Sequence, residues 1–242
     1  MDTATKLAVD IGNSRIKLYD GTLHYAERHE HTDWQLVGSM LHQYSLIGYS
    51  SVHAGIEERL LSVTQGCVRV NMKTIIPTLP HYNNAYPTAG TDRMLGLYAA
   101  LSFSPNVITV DCGTALTVNA VVENRFIGGV IMPGVTTQSH ALHDYTNGLP
   151  HVDLRSVTLQ NSAVGTTTVS NIATGVILGC SGAVERHLHD ISMKHFDSLP
   201  AVYLTGGDAV LLHPHIKSYH AISHEPTLVL DGILRVLSTI VT

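Results

Sequence analysis

The chain has 242 residues, of which 44% are hydrophobic and 14% are charged, and its formal net charge is −5. This composition is typical of a well-packed globular protein with one domain or two lobes, and it excludes a disordered chain. The acidic balance and the absence of a basic run argue against nucleic acid as a partner. No segment has the pattern of a secretion signal or a lipid-facing helix, so we expect a cytoplasmic protein without a membrane partner.

Apolar runs and turn residues predict a first lobe over residues 1–105. Its elements, in order, are strands over 7–11, 15–19 and 22–26, a helix over 33–44, a strand over 46–49, and a short helix and strand that end near residue 71. Asp20-Gly21 is a typical hairpin turn between the second and third strands. Three prolines predict a loop over residues 76–90, which leads into a helix from about Thr91 to Leu101.

A second lobe, over residues 106–242, repeats this plan. Its elements, in order, are strands over 107–110, 116–122 and 125–131, helices over 135–145 and 168–190, a strand over 201–205 and a helix over 227–239. The second of these helices carries Gly175, Gly179 and Gly182. Small residues at this spacing favour close helix approach, either within the lobe or at a contact between subunits.

A short sequence motif occurs once in each lobe, at the end of the first strand of the lobe. Val9-Asp10-Ile11-Gly12-Asn13-Ser14 returns 101 residues later as Val110-Asp111-Cys112-Gly113-Thr114-Ala115. In each copy an apolar strand is followed by an Asp, a Gly two residues later and then small polar residues. This pattern predicts a tight turn with exposed backbone amides, which suits phosphate. Two such turns predict a duplicated fold that binds a nucleotide.

The first copy has the groups that a triphosphate needs. Gly12 allows close approach of the backbone, Asn13 and Ser14 offer hydrogen bonds, and Lys17 supplies positive charge. Asp10 could hold Mg²⁺ directly or through water. An ordinary hairpin turn with a surface lysine is the alternative, and the recurrence of the turn in the second lobe argues against it.

The cysteines and histidines offer no framework for a disulfide or a metal. Cys67, Cys112 and Cys180 are far apart and lie among apolar residues, which predicts buried, reduced thiols. The 16 histidines lack the spacing that is typical of zinc sites, so dispersed surface positions are favoured over a metal or pH-sensing role.

Six segments, in order along the chain, resemble the motifs of type III pantothenate kinases, which belong to the actin-like, sugar-kinase and heat-shock ATPase superfamily. They are Asp10–Lys17, Gly90–Arg93, Asp111–Thr117, Gly128–Gly134, Ala163–Thr168 and Leu204–Asp208. The resemblance covers nearly the whole chain. It implies a duplicated ribonuclease-H-like (actin-like ATPase) α/β fold, in which each lobe has a mixed sheet flanked by helices.

The resemblance also implies an activity and its residues. The activity is the ATP-dependent phosphorylation of pantothenate to 4′-phosphopantothenate, the first step of coenzyme A synthesis, in a homodimer that uses Mg²⁺. Asp92 would be the base that accepts the proton of the pantothenate hydroxyl, although an N-terminal helix cap is an alternative role for Thr91-Asp92. Asp111 would bind a monovalent cation, K⁺ or NH₄⁺. The implied ATP contacts are Asp10, Ile11, Gly12, Asn13, Ser14, Arg15, Ile16, Lys17 and Thr114. The implied pantothenate contacts are Gly90, Thr91, Asp92, Arg93, Thr168 and Tyr86.

Two alternatives to this function stay open. One is a catalytically silent regulatory or accessory protein on the same fold, against which the acids Asp10, Asp92 and Asp111 argue. The other is a related kinase of another small hydroxyl-bearing substrate. One departure concerns the substrate pocket, because Thr166-Thr167 stand where a Lys-Asn pair is common in the family, which removes a positive charge near the substrate carboxylate.

Overall fold

The computed structural model describes residues 5–64, 66–75, 89–159, 163–217 and 222–240. The chain divides into two compact units, Met1–Phe103 with Thr227–Thr242, and Ser104–Pro226. The expected division at residues 105 and 106 therefore differs at the C-terminus, because the last helix groups with the first unit and not with the second.

The first unit contains a five-stranded mixed sheet in the order β3-β2-β1-β4-β5. Strands β1 and β2, and β2 and β3, pair antiparallel, whereas β1 and β4, and β4 and β5, pair in parallel. The elements of this unit are β1 (Lys6–Ile11), β2 (Arg15–Tyr19), β3 (Leu23–Arg28), α1 (Trp34–Leu41), β4 (Leu46–Ser51), α2 (Ala54–Val63), β5 (Val68–Arg69), α3 (Met72–Ile75), α4 (Thr91–Ala100) and the C-terminal helix α8 (Leu228–Ile240).

The second unit has the same strand order, with β6 in place of β1. Its sheet runs β10-β9-β6-β7-β8, with two antiparallel pairs on one side of β6 and two parallel pairs on the other. Its elements are β6 (Val107–Cys112), β7 (Ala115–Val122), β8 (Arg125–Pro133), α5 (Val135–Asp144), α6 (Thr168–His195), β9 (Ala201–Thr205), α7 (Ala209–Leu212) and β10 (Ile222–His224). The duplication that the repeated motif predicts is thus present in the topology of the two sheets.

Helix α8 joins the first unit because one of its faces is apolar and packs there. Ile233, Val236 and Leu237 are fully buried, and Leu237 lies so close to Gly48 of β4 that a Cβ on that glycine would be 2.7 Å from a Leu237 methyl carbon. A hydrogen bond of 2.7 Å from the Tyr19 hydroxyl to Asp231 Oδ1 fixes the helix along the sheet. Burial of such side chains, at about 1.5–3 kcal/mol each, favours this docking strongly.

The glycines of α6 do not pack within the second unit. Gly175, Gly179 and Gly182 are exposed, and a Cβ added at any of them would have no neighbour within 4 Å among the described residues. The interpretation of close packing within the lobe is therefore wrong. The buried face of α6 is formed by other residues, such as Ala173, Val184 and Leu188, which are fully buried.

The cysteines are free thiols in the structure. Cys112 and Cys180 are buried, as predicted, whereas Cys67 is half-buried, so the prediction of a buried thiol is wrong there. Burial raises the pKa of all three thiols above the usual value, so they are poor nucleophiles. None of the helices in the described residues is long and apolar enough to cross a membrane.

Candidate nucleotide and acceptor site

The first Asp-x-Gly turn connects β1 to β2. The Gly12 amide donates to the Arg15 carbonyl at 3.0 Å, which closes the turn, and the antiparallel register places Asp10 opposite Lys17. Side chains of directly opposed residues lie on one face of a sheet, so these two groups meet, with Lys17 Nζ 3.6 Å from Asp10 Oδ2. The turn therefore carries a carboxylate and an ammonium side by side.

Asp10 is an incompletely balanced buried charge. It is 9% exposed, and burial raises its pKa above the usual value. The neighbouring Lys17 lowers the pKa, and the negative charge of Asp92 raises it again. A carboxylate in this position gains from a further cation.

The other residues of the first turn differ in what they can offer a ligand. The side chains of Asn13, Ser14 and Arg15 are exposed. Ile11 and Ile16 are 1% and 0% exposed and belong to the core of the unit. Of the segment from Asp10 to Lys17, these two residues can therefore contribute only backbone groups to ATP.

Asp92 lies in the first turn of α4, within the first unit. Gly90 occupies the N-cap position, without a side-chain cap, so the interpretation of Thr91-Asp92 as the cap is wrong. Asp92 Oδ1 accepts a hydrogen bond from the Arg93 amide at 2.8 Å. A Cβ on Gly90 would lie 2.6 Å from this oxygen, so the carboxylate folds back over the glycine. Burial lowers the pKa of Arg93, and the charge of Asp92 opposes that shift.

The second Asp-x-Gly turn, between β6 and β7, is also closed by the amide of its glycine, but the bond spans two residues instead of three. The Gly113 amide donates to the Ala115 carbonyl at 3.1 Å, and Asp111 pairs with Thr117. Thr114 is exposed, and its carbonyl accepts hydrogen bonds from the Gly134 amide at 2.9 Å and from Thr137 Oγ1 at 2.7 Å. The start of α5 thus holds this turn.

The glycines beside the second turn are required by close backbone approach. A Cβ on Gly134 would collide with the carbonyl oxygen of Gly113 and lie 2.8 Å from that of Thr114. Gly206 has φ of 90°, and a Cβ there would lie 2.5 Å from Asp111 Oδ1 and from the Cys112 carbonyl oxygen. The strand-to-glycine junction after β9 therefore lies directly against Asp111, the expected cation ligand.

Asp208, the last residue of the sixth motif, connects three segments of the second unit, a role that sequence reasoning did not assign to it. It is 7% exposed and pairs with Arg155 at 2.8 Å through Oδ1. Its Oδ2 accepts from Thr136 Oγ1 at 2.7 Å, and its amide donates to the Cys112 carbonyl at 2.9 Å. Arg155 also donates to the Gly207 carbonyl at 2.7 Å. An acid directly after a glycine pair was the only sequence signal for this network.

Two further residues are expected to contact the substrate, Thr168 and Tyr86. Thr168 is exposed and is the first residue of α6, which Thr167 caps through the Ser170 amide at 3.2 Å. Tyr86, and Tyr82 upstream of it, lie outside the described residues. The first unit brings together Asp10, Lys17 and Asp92, and the second brings together Asp111, the turn of Thr114 and Asp208. The described residues contain no cluster of three His, Cys, Asp or Glu side chains that could hold a metal ion.

Residues 6–190 match the sequence model of the type III pantothenate kinase family. The chain belongs to this family. It is 34% identical over 203 residues to the type III pantothenate kinase of Porphyromonas gingivalis, with 81% of this chain and 80% of the relative covered. The corresponding protein of Cereibacter sphaeroides is 31% identical over 246 residues, with 92% and 94% covered.

The match to a third relative is shorter. The type III pantothenate kinase of Synechococcus elongatus is 39% identical over 161 residues, which cover 66% of this chain. The chain thereby spans only 63% of that relative's length. The resemblance that the six motifs predict is confirmed at the level of the family.

Solved structures confirm the fold class. A protein from Campylobacter jejuni described as a conserved putative Baf family transcriptional activator has a TM-score of 0.64 and 21% identity, with 97% of this chain and 98% of that chain covered. MreB 5 of Spiroplasma citri, bound to AMPPNP, has a TM-score of 0.52 and 9% identity, with 99% and 98% covered. At these identities the likeness concerns the fold, which is that of actin-like ATPases.

Proposed function

We propose that this member of the type III pantothenate kinase family transfers the γ-phosphate of ATP to pantothenate, giving 4′-phosphopantothenate and ADP. The observation that carries the proposal is the pair of equivalent Asp-x-Gly turns, at Gly12 and Gly113, on two sheets of the same strand order. Phosphoryl transfer depends on alignment and charge neutralisation, which glycine turns and acidic cation ligands supply. The actin-like relative MreB 5, which was solved with AMPPNP, supports nucleotide binding on this fold.

The first turn would bind the phosphates of ATP together with Mg²⁺. Lys17 would neutralise phosphate charge, Asn13 and Ser14 would donate hydrogen bonds, and Asp10 would hold Mg²⁺ directly or through water. Mg²⁺, when bound, supplies charge neutralisation on the phosphate oxygens. The raised pKa of Asp10 supports this assignment, because its charge is incompletely balanced by Lys17 alone.

The second turn would contribute a monovalent cation and a further ATP contact. We assign K⁺ or NH₄⁺ to Asp111 and an ATP contact to Thr114, which is exposed beside it. The crowded Gly206 junction, with no room for a side chain against Asp111, supports a site in which backbone oxygens accompany the carboxylate. A monovalent cation would share the negative charge of the nucleotide.

Asp92 would accept the proton of the attacking hydroxyl. As the new O–P bond forms, the hydroxyl proton passes to the carboxylate, the γ-phosphoryl leaves ADP, and ADP keeps the electron pair of the broken bond. The carboxylate is half-buried, and its Oδ1 is held by the Arg93 amide, which fixes its orientation. Gly90, Thr91, Arg93, Thr168 and Tyr86 would bind pantothenate around it.

The test is ADP release measured with ATP, Mg²⁺, K⁺ and pantothenate. Asp92→Asn keeps the size of the side chain and removes its basicity, and we expect turnover to fall roughly 10²- to 10⁴-fold. Asp197→Asn, on an exposed loop position, is the matched control and should leave turnover unchanged. Near-wild-type turnover of a folded Asp92→Asn protein would remove Asp92 from this role.

The same assay separates the alternative functions. Wild-type protein that binds ATP but shows no pantothenate-dependent ADP release would contradict the proposed activity. ADP release that depends on a different hydroxyl-bearing compound would identify a related kinase. The three free thiols agree with a reducing compartment, and we place the protein in the cytoplasm.

We also propose that α6 forms part of a homodimer interface. A groove runs along its exposed glycines and is lined by Ala163, Val164, Gly165, Asn171, Thr174, Gly175, Leu178 and Gly179. Glycines cost helix stability, and these have no packing role within the unit, so a second copy of the chain explains them better. Gly179→Arg should give a folded monomer by light scattering coupled to gel filtration, whereas an unchanged dimer would exclude this face.

A further inference from the structure

His29 lies immediately after β3, beside the first turn. The pairing of β2 with β3 places Arg15 opposite Arg28. The ladder continues one step beyond the strand, because the His29 amide donates to the Ser14 carbonyl at 3.2 Å. The backbone of His29 is therefore hydrogen-bonded to Ser14, in the part of the turn that leads into β2.

The ring of His29 contacts Gly12, in the part of the same turn that follows β1. Its Nε2 lies 2.9 Å from the Gly12 carbonyl oxygen. A carbonyl oxygen can only accept, so Nε2 carries the proton and donates. The amide of Gly12 is already bonded to the Arg15 carbonyl at 3.0 Å. Both peptide groups of Gly12 are thus fixed, one by the turn itself and one by His29.

A third segment encloses the ring from the side of β4. The Val52 amide donates to the Ile11 carbonyl at 3.0 Å, and the ring of His53 meets that of His29 edge-on, with 5.2 Å between their centres. His29 Nδ1 is buried and has no hydrogen-bond partner among the described residues. An apolar side chain would fill this space without burying an unpaired nitrogen. The hydrogen bond to Gly12 is therefore what an imidazole adds at this position.

We propose that His29 is a positioning residue for the nucleotide turn. By holding the Gly12 carbonyl and the Ser14 carbonyl at once, it keeps the turn in the one conformation that presents the residues between them to the phosphates. This assignment rests on the proposed function of the turn in binding ATP. His29 acts through the backbone of the turn and need not touch the nucleotide.

The experiment compares His29→Leu with His29→Gln. Leucine fills similar space without a donor, whereas glutamine keeps an N–H group at comparable reach. We expect His29→Leu to lower kcat/KM for ATP about three- to tenfold, the range for one lost hydrogen bond, and to leave KM for pantothenate unchanged. His29→Gln should recover to within about twofold of the wild type, again within the range of one hydrogen bond.

The matched control is His31→Leu, an exposed position in the single 3-10 helical turn His29–His31, which should behave as the wild type. Unchanged kcat/KM for ATP in His29→Leu would overturn the proposal, as would equal losses toward both substrates or a failure of glutamine to rescue. The rise in Tm on adding MgATP is a second readout, and it should be smaller for His29→Leu than for His31→Leu. This readout does not need turnover. A wild type without pantothenate-dependent ADP release would therefore contradict the proposed function and leave the test of His29 intact.

Discussion

Helix α8 supports α4, the helix that carries Asp92, through backbone contact at Gly232. A Cβ on Gly232 would collide with the carbonyl oxygen of Leu95 and lie 2.7 Å from its carbonyl carbon and 3.0 Å from its Cα. About one helical turn further along both helices, Arg235 donates to the Tyr98 carbonyl, and its guanidinium lies 4.2 Å from the centre of the Tyr98 ring. Gly232→Ala is therefore expected to force α8 away from α4.

Two opposing effects set the size of the change. Ala in place of Gly in a helix interior stabilises by about 1 kcal/mol. Overpacking costs about 1–3 kcal/mol, and the upper end applies because a backbone carbonyl has no alternative rotamer. Ordinary carbon contacts lie at about 3.5–4.0 Å, so the helices must separate by roughly 1 Å. The clash outweighs the propensity gain, and we expect a net loss of about 2 kcal/mol in the free energy of unfolding.

Thermal unfolding followed by circular dichroism tests this balance. For a chain of this length about 2 kcal/mol corresponds to a fall in Tm of roughly 4 to 8 °C. Gly55→Ala in α2 is the control, because a Cβ there would meet only ring atoms of His53, at 3.8 and 3.9 Å, and its Tm should stay the same or rise. A Tm of Gly232→Ala within 1 °C or so of the wild type, below the error of this conversion, would refute the close approach of the helices. Pantothenate turnover should fall with it, because α4 carries Asp92.

Three further predictions concern the turns. Asp10→Asn should raise the Tm of the nucleotide-free protein at pH 7, because a carboxylate with a raised pKa destabilises the fold once ionised. The gap to the wild type should narrow as the pH falls toward the usual 3.8, and a gap that widened at low pH would contradict this sign. Lys17→Met should raise KM for ATP about tenfold or more with KM for pantothenate unchanged, since a charge-assisted contact contributes about 1.5–3 kcal/mol, and an unchanged KM for ATP would exclude a phosphate role. Gly206→Ala should abolish K⁺ stimulation of ADP release, because its Cβ would lie 2.5 Å from Asp111 Oδ1; persistence of the stimulation would place the cation elsewhere.

Sequence predicts this fold well where the signal is local. The strand before each Asp-x-Gly turn, the hairpin after it and the repeated order of elements all follow from apolar runs and turn residues over a few positions. Most bounds shift by three residues or fewer, as in β3, expected over 22–26 and observed as Leu23–Arg28. The largest difference is at the end of α6, expected at residue 190 and observed at His195. The three-residue strand β10, Ile222–His224, was not predicted, because so short an edge strand has little pattern.

Long-range features of the first unit had no such signal. The place of α8 depends on the contact of Gly232 with the backbone of Leu95, which is far away in sequence. A glycine in a helix gives no sequence signal for the residue that it contacts. His29 is one of 16 histidines and looks like a surface residue until the register of β2 and β3 places it beside Gly12. The role of Asp208 likewise becomes visible only in the structure, where Arg155 forms an ion pair with it and Thr136 donates a hydrogen bond to it.

Both Asp-x-Gly turns are closed by the amide of their glycine, but the closing bond reaches Arg15, three residues on, in the first and Ala115, two residues on, in the second, and their supports differ as well. The amide of Gly12 and the amide of Gly113 each bond across the turn, at 3.0 and 3.1 Å. The first turn is then braced by an imidazole from the end of β3, whereas the second is braced by the start of α5 and lies against the Gly206 junction. A turn held in one conformation that also carries the ammonium of Lys17 suits phosphate, and a carboxylate packed among backbone oxygens suits a monovalent cation. The duplication therefore explains why there are two turns, and the different supports explain why we expect different ligands on them.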